Sequence, residues 1–201
     1  MANNDIKFSI ITPTLVRTSL MRTCGSVDKQ TYKGYEHIVM VDTAPTPMQA
    51  DVLECLSGIR RNVIYLGKRH NDYGNLARNT AWEHATGDYI MYLDDDDYYM
   101  PNALETIAAK LKELPKLPDF AVFNCTRMGQ QFFHWPPRIE YTCSCQYVHK
   151  RVINGNPVKW PTHDSTYQSD GRFLESLKTI AEPVRLDTPQ LVVVDTQSMG
   201  R

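Results

Sequence analysis

The chain has 201 residues, 42% hydrophobic and 22% charged, with a formal net charge of −1. That length allows a single domain, residues 1–201, with a sizeable core, and so small a charge offers no electrostatic footprint for nucleic acid or an anionic membrane. No apolar stretch approaches the about 20 residues of a membrane-spanning helix, and Met1-Ala2-Asn3-Asn4-Asp5 lacks the regions of a secretory signal, so a cytoplasmic protein without a membrane span is expected.

In chain order, the first half alternates strands with helices. Phe8-Ser9-Ile10-Ile11-Thr12 reads as a strand stopped by Pro13. Ser19 is placed to cap a short helix to about Val27. His37-Ile38-Val39-Met40-Val41 is a second buried strand, ending at Asp42. Pro45 and Pro47 open a helix carrying Met48, Val52, Leu53 and Leu56, and Val63-Ile64-Tyr65-Leu66 is a third strand. A polar loop from Gly67 to Gly74 leads to Asn75, a suitable cap for a helix through Ala85. Gly87-Asp88 turns the chain into the apolar run Tyr89-Ile90-Met91-Tyr92-Leu93. Pro101 starts a helix with Leu104, Ile107, Ala108, Leu111 and Leu114 at helical spacing. Four such alternations in about 115 residues predict an α/β fold, a mostly parallel sheet covered by helices on both faces.

Four consecutive carboxylates, Asp94-Asp95-Asp96-Asp97, follow the apolar run. Like charges at such density are unfavourable without compensation. A divalent cation is the usual compensator, and hard oxygen ligands suit Mg²⁺ or Mn²⁺. If the strand continued through them, Asp94 and Asp96 would share one side and Asp95 and Asp97 the other. The carboxyl end of a sheet strand is where open α/β sheets bind ligands. An acidic turn before a helix would explain Asp97 alone better than all four.

The second half is less regular. Phe120 to Asn124 and Thr142 to His149 read as strands, Met128-Gly129-Gln130-Gln131 as a turn, and Asn154-Gly155-Asn156-Pro157 as a turn or loop. A helix begins near Asp170 and runs to about Ala181, with Phe173, Leu174, Leu177 and Ile180 on its apolar face; Leu191-Val192-Val193-Val194 is a last strand. Five scattered cysteines argue against a disulfide framework. Cys143 and Cys145 would share a face of a strand, but no second Cys/His pair has zinc-finger spacing, so reduced thiols are expected.

Several of these segments resemble family 2 glycosyltransferases with the GT-A fold. Phe8 to Thr14 is similar to that family's opening strand, and Val39-Met40-Val41-Asp42 to its second. Gly74-Asn75-Leu76-Ala77-Arg78-Asn79 and Ala85-Thr86-Gly87-Asp88 through Asp97 resemble its central block, and Pro101 and Leu104 fall at its next helix. The resemblance covers about residues 6–115, a donor-binding part with a Rossmann-like sheet; residues 116–201, the acceptor part, match loosely. Ser169-Asp170 stands where the family often has Glu-Asp.

The resemblance implies transfer of a sugar, with inversion, from a nucleotide diphosphate sugar, a UDP-sugar by preference, to a hydroxyl of a carbohydrate or other acceptor. It makes Asp94-Asp95-Asp96 the donor-binding Asp-x-Asp motif, with Asp96 the direct ligand of Mn²⁺ or Mg²⁺ and Asp94 on the ribose or a metal-bound water. Asp42 would accept a hydrogen bond from the nucleotide base, with Thr12 and Pro13 lining the same pocket. Arg78, and more weakly Asn79, would support the acidic motif or the diphosphate. The loop of Lys68, Arg69 and His70 lies on the donor side or is simply solvated. Asp170 is the expected base for the acceptor proton; Asp164, beside His163, is the competitor, and a helix-capping role is the plain alternative for Asp170. His134-Trp135-Pro136-Pro137 and Trp160-Pro161 could stack on an acceptor sugar, although core or loop packing is commoner for such residues. His37, His84 and His149 are read as structural or exposed. A sugar nucleotidyltransferase is disfavoured because Thr12 to Arg17 contains no glycine. A non-catalytic carbohydrate- or cation-binding module would need no base. A metal-dependent nuclease would need a basic tract that the chain lacks.

Overall fold

The computed structural model of the protein describes residues 5–45, 57–162 and 168–195. The helix expected over Met48, Val52, Leu53 and Leu56 lies outside these residues, as do Cys55, His163 and Asp164. Most of the strands form one seven-stranded sheet in the order β12-β6-β9-β4-β1-β2-β3. Its members are β1 (Phe8–Thr14), β2 (Tyr35–Val41), β3 (Arg61–Tyr65), β4 (Tyr89–Tyr92), β6 (Phe120–Val122), β9 (Tyr147–Lys150) and β12 (Val184–Arg185). Only β9 runs antiparallel to its neighbours, so the sheet is mostly parallel as expected. A second sheet, order β5-β13-β7-β8, joins β5 (Tyr98–Tyr99), β7 (Cys125–Arg127), β8 (Gln130–Phe132) and β13 (Val192–Val194). A short hairpin pairs β10 (Val152–Ile153) with β11 (Asn156–Pro157).

The strand period of two divides the core between the two faces. Phe8, Ile10, Tyr89, Met91 and Leu93 point to one face, where they meet Leu104, Ile107 and Leu111 of the helix α3 (Ala103–Glu113). Ile11, Ile38, Met40, Ile90 and Tyr92 point to the other. There they pack on Ala77 and Ala81 of α2 (Asn75–His84) and on Phe173, Leu174 and Leu177 of α4 (Ser169–Lys178). Val39 and Val41 are buried with Leu20 and Cys24 of α1 (Leu20–Asp28). Truncating one such fully buried side chain costs about 2–5 kcal/mol. Aromatic contacts seal the second face. Trp160 stacks on Phe173 at 4.3 Å with rings 5° apart, and Tyr92 meets both edge-on.

Four local expectations need correction. Pro13 does not stop β1, which runs on to Thr14 beside β2. The reason is that Leu93 N–H to the Ile11 carbonyl is the last bond between β4 and β1, and Pro13 faces that departed side, where no donor is needed. Asn75 does not cap α2. Gly74 stands at the cap with φ 79°, and the Asp72 carboxylate accepts from Gly74 and Leu76 N–H at 3.1 and 2.7 Å. Met128 and Gly129, both with positive φ, form the whole turn of a β7–β8 hairpin, so Gln130 and Gln131 are strand. The segment 142–149 is split: a 3-10 turn, Ser144–Gln146, precedes β9. Among the described residues no helix is long and apolar enough to cross a membrane.

Candidate active site

The carboxyl ends of β1, β2 and β4 open on a cleft of about 1050 Å³, at the upper end of the range for small-molecule sites. Pro13, Asp42, Arg78, the four aspartates and Asp170 all line it. Thr12 does not. Its side chain is buried, with Oγ1 2.9 Å from His37 Nε2, and Thr14 takes the cleft position two residues on. That correction follows from Pro13 continuing the strand: Thr12 and Thr14 share one side of β1, and Thr14 is the one at its carboxyl end, past the last bond to β4.

The aspartates are not on a strand. β4 ends at Tyr92, and Asp94 to Asp97 form a turn closed by Asp97 N–H donating to the Asp94 carbonyl at 3.1 Å. The turn still separates them by pairs: Asp95 and Asp97 are buried, while Asp94 and Asp96 remain partly open to the cleft. Asp95 accepts from Thr14 Oγ1 at 2.6 Å. Asp97 accepts from Asp195 N–H at 3.1 Å. Asp94 is paired with Arg78 at 2.6 Å. Arg17 Nη1 stands 3.2 Å from Asp96 and 3.4 Å from Asp95. Burial raises Asp95 to about 6, aided by Asp96 and Asp94 and opposed by Arg17 and Thr14. Burial, with Asp94 and Asp96, raises Asp97 as well. Crowded carboxylates of this kind are what a hard divalent cation stabilises in the ionised form. The donor set therefore fits Mg²⁺ or Mn²⁺.

Arg78 is not a solvated helix residue. It is buried beneath the turn, with Nη1 donating to the Tyr73 carbonyl at 2.7 Å and its guanidinium 4.4 Å above the Trp160 ring. Burial alone would favour neutral Arg78; the carboxylates of Asp94 and Asp170 outweigh it and hold the charge. Asn79 holds the wall behind it, exchanging hydrogen bonds with the backbone of Trp160 at 3.0 and 2.8 Å. Trp160 is thereby a core residue, not an acceptor platform. Trp135 is 40% exposed, beside His134, which stacks on Tyr141.

Asp42 is buried at the end of β2, and His70 engages it twice: Nδ1 lies 2.6 Å from Oδ1, and the backbone N–H donates at 3.2 Å. Arg69 lines the cleft and Lys68 does not. Asp170, in the first turn of α4, accepts from Ser144 N–H at 3.2 Å. Burial and Asp94 raise its carboxyl to about 6, against Arg78 and the Ser144 bond. Asp94, Arg78 and Asp170 thus form one electrostatic unit spanning the cleft. His37 and His149 are buried and held neutral by burial, and His84 is exposed, as read from the sequence.

Sequence reasoning missed Arg17, Thr14, Asp72, Asp195 and Gly171. A Cβ on Gly171 would collide with Ile139, so the glycine lets the 139–141 turn close on α4 beside Asp170. It missed also that Cys125 lies with Cys143 and Cys145, their sulfurs all within 4.8 Å. No sequence signal ties these distant positions together.

The family model described as Glycosyl transferase family 2 matches residues 9–182. The putative teichuronic acid biosynthesis glycosyltransferase TuaG of Bacillus subtilis is 36% identical over 148 residues, 70% of this chain and 58% of TuaG. Glycosyltransferase GlyA of Streptococcus pneumoniae is 30% identical over 135 residues, 65% of this chain and 19% of GlyA. The chain thus spans well under two thirds of the length of these relatives. S. aureus TarS 1-349 in complex with UDP-GlcNAc superposes with TM-score 0.78 at 20% identity, over 94% of this chain and 58% of that one. A mannosyltransferase from Pyrobaculum calidifontis, in complex with GDP-Man and Mn²⁺, gives 0.70 at 16% identity, over 98% and 59%. These likenesses extend the fold assignment through the irregular second half, and the family match covers both halves: the chain belongs to glycosyl transferase family 2 and has its GT-A fold.

Proposed function

We propose that the protein is a metal-dependent, inverting glycosyltransferase that uses a UDP-sugar and delivers the sugar to a carbohydrate hydroxyl. The observation that carries this reading is the acidic turn at the end of β4, joined through Arg78 to Asp170 in one cleft. Asp96 and Asp94 would hold Mn²⁺ or Mg²⁺, which supplies Lewis-acid stabilisation of the departing diphosphate when bound. Asp42, at the far end, would take an N–H of the base, with His70 fixing its carboxylate. Pro13 would line that pocket with Thr14 in place of Thr12.

In the transfer itself, Asp170 takes the proton of the acceptor hydroxyl as the acceptor oxygen bonds to the anomeric carbon. The bond from that carbon to the diphosphate breaks, and its electron pair leaves with the nucleoside diphosphate. Attack opposite the leaving group inverts the configuration. A carboxyl at about 6 is ionised at neutral pH yet basic enough to share the proton in the transition state. Arg78 fixes Asp94 through their 2.6 Å ion pair.

Support for the donor class comes from the complexes of TarS with UDP-GlcNAc and UDP. A relative named UDP-Glc:alpha-D-GlcNAc-diphosphoundecaprenol beta-1,3-glucosyltransferase is 34% identical over 106 residues. The GDP-Man and Mn²⁺ complex supports a metal. A cytoplasmic setting belongs to the same proposal, supported by free thiols at Cys24, Cys125, Cys143 and Cys145. The test is a thermal-shift panel of UDP, GDP, dTDP and CDP with and without Mn²⁺. UDP should raise the Tm only with the metal, because a ligand that binds the native state alone stabilises it. No metal-dependent shift with any nucleotide would overturn the proposal.

A further inference from the structure

We propose that Cys125, Cys143 and Cys145 form a second cation site, a three-thiolate seat for a soft ion of the zinc class, separate from the oxygen-ligand turn. Two segments 18 residues apart converge there. Cys125 begins β7, Cys143 caps the 3-10 turn, and Cys145 lies within that turn. Cys143 Sγ is 2.9 Å from Cys145 Sγ and 3.5 Å from Cys125 Sγ, with all three sulfurs within 4.8 Å. Tetrahedral ligands about 2.3 Å from a zinc ion stand about 3.8 Å apart, so an ion would need to spread the 2.9 and 3.5 Å pairs by less than about 1 Å. Core cysteines serving only as small apolar groups have no reason to direct three sulfurs to one point.

The backbone around the thiols is fixed by a network of side-chain bonds. Cys143 N–H donates to Gln146 Oε1 at 3.0 Å, and buried Gln146 donates from Nε2 to the Phe132 carbonyl at 2.5 Å. The Phe132 carbonyl also lies 3.2 Å from Cys125 Sγ, which ties β8 to the same point. Preorganisation of this kind lowers the ordering cost of binding. Cys125 and Cys145 are fully buried, whereas Cys143 lines the main cleft, which gives an ion a way in and leaves a fourth position for water. Sulfur ligands select against Mg²⁺ and Mn²⁺, so the two sites divide metals by hardness. The thiol seat stands next to the reaction: Ser144, between two of the cysteines, donates its N–H to Asp170. A bound ion would lock the turn that holds Asp170 in place.

The test is a Co²⁺ titration of the whole, metal-stripped protein, reduced with a phosphine. One equivalent should give sulfur-to-cobalt charge-transfer and tetrahedral d–d absorption, and Zn²⁺ should bleach both. The oxygen ligands of the acidic turn produce neither band. The Cys143→Ser/Cys145→Ser double variant should lose the absorption, and Cys55→Ser should keep it. X-ray absorption of the zinc-loaded wild type should count three sulfurs at about 2.3 Å, a readout independent of whether the variants fold. Absent bands at one equivalent, bands that persist in the double variant, or a shell of oxygens would overturn the site. So would a reduced protein that binds no cobalt but loses two hydrogens in air, since that describes a redox pair. None of these outcomes bears on nucleotide binding at the acidic turn.

Discussion

The two sides of the cleft are built differently. The donor side is the edge of a regular sheet: β1, β2 and β4 run parallel in register and each delivers a functional residue at its carboxyl end. The opposite side is assembled from the start of α4, a 3-10 turn and the β7–β8 hairpin, with few regular bonds of its own. Its positions are set by single contacts, such as Ser144 on Asp170 and Asn79 on Trp160. A rigid rim can hold a constant ligand, and a rim of loops can be re-cut for different acceptors without disturbing it.

Changes on the two sides should therefore separate binding from chemistry. The largest effect is expected on the loop side. Asp170→Asn should lower kcat about 10²–10⁴-fold while Mn²⁺–UDP binding, read by calorimetry, stays unchanged; full turnover would remove Asp170 from the role of base. Next comes the sheet side: Asp96→Asn should abolish the metal-dependent part of UDP binding and lower transfer about 10²–10³-fold. Retention of metal-dependent binding would mean the cation sits elsewhere.

The pH dependence is smaller. With Asp170 at about 6, the base is lost as pH falls, so kcat/KM should drop about tenfold per unit below about pH 6. Asp95 and Asp170 both bind protons more tightly when folded than the ordinary value of 3.8. Their contribution to stability is thus fully present below about pH 4 and is lost as pH rises through about 6. Mn²⁺ should restore it at neutral pH. A metal-free protein whose stability from these groups rises across that window would contradict the assigned shifts; Asp95→Asn and Asp170→Asn isolate their part by difference. Smallest is Gly171→Ala, which must displace Ile139 and should cost about 1–3 kcal/mol in urea unfolding. Its kcat should fall more than its UDP affinity, because it disturbs only the loop side.

The same contrast decides what could be read from the sequence. The strand residues alternate in the core as their pattern predicts, and Asp42, Arg78 and the aspartates reach the cleft because strand ends and the helix after Gly74 place them locally. Asp170 lines the cleft from a helix start, where the sequence puts it. Thr12 misled because the pleat continues past Pro13, and the aspartates because a tight turn, not strand alternation, sorts them. Arg17 and Cys125 were beyond local patterns: each is placed by a partner some 18 to 79 residues away. Such pairs depend on the packed fold rather than on any window of residues.

The most direct measurement is a crystal structure of the protein with Mn²⁺ and UDP. The account predicts the metal bound by Asp96, with the diphosphate across it, the uracil at Asp42, and Arg17 moved off Asp96. A nucleotide bound elsewhere, or a metal with no contact to the acidic turn, would contradict it.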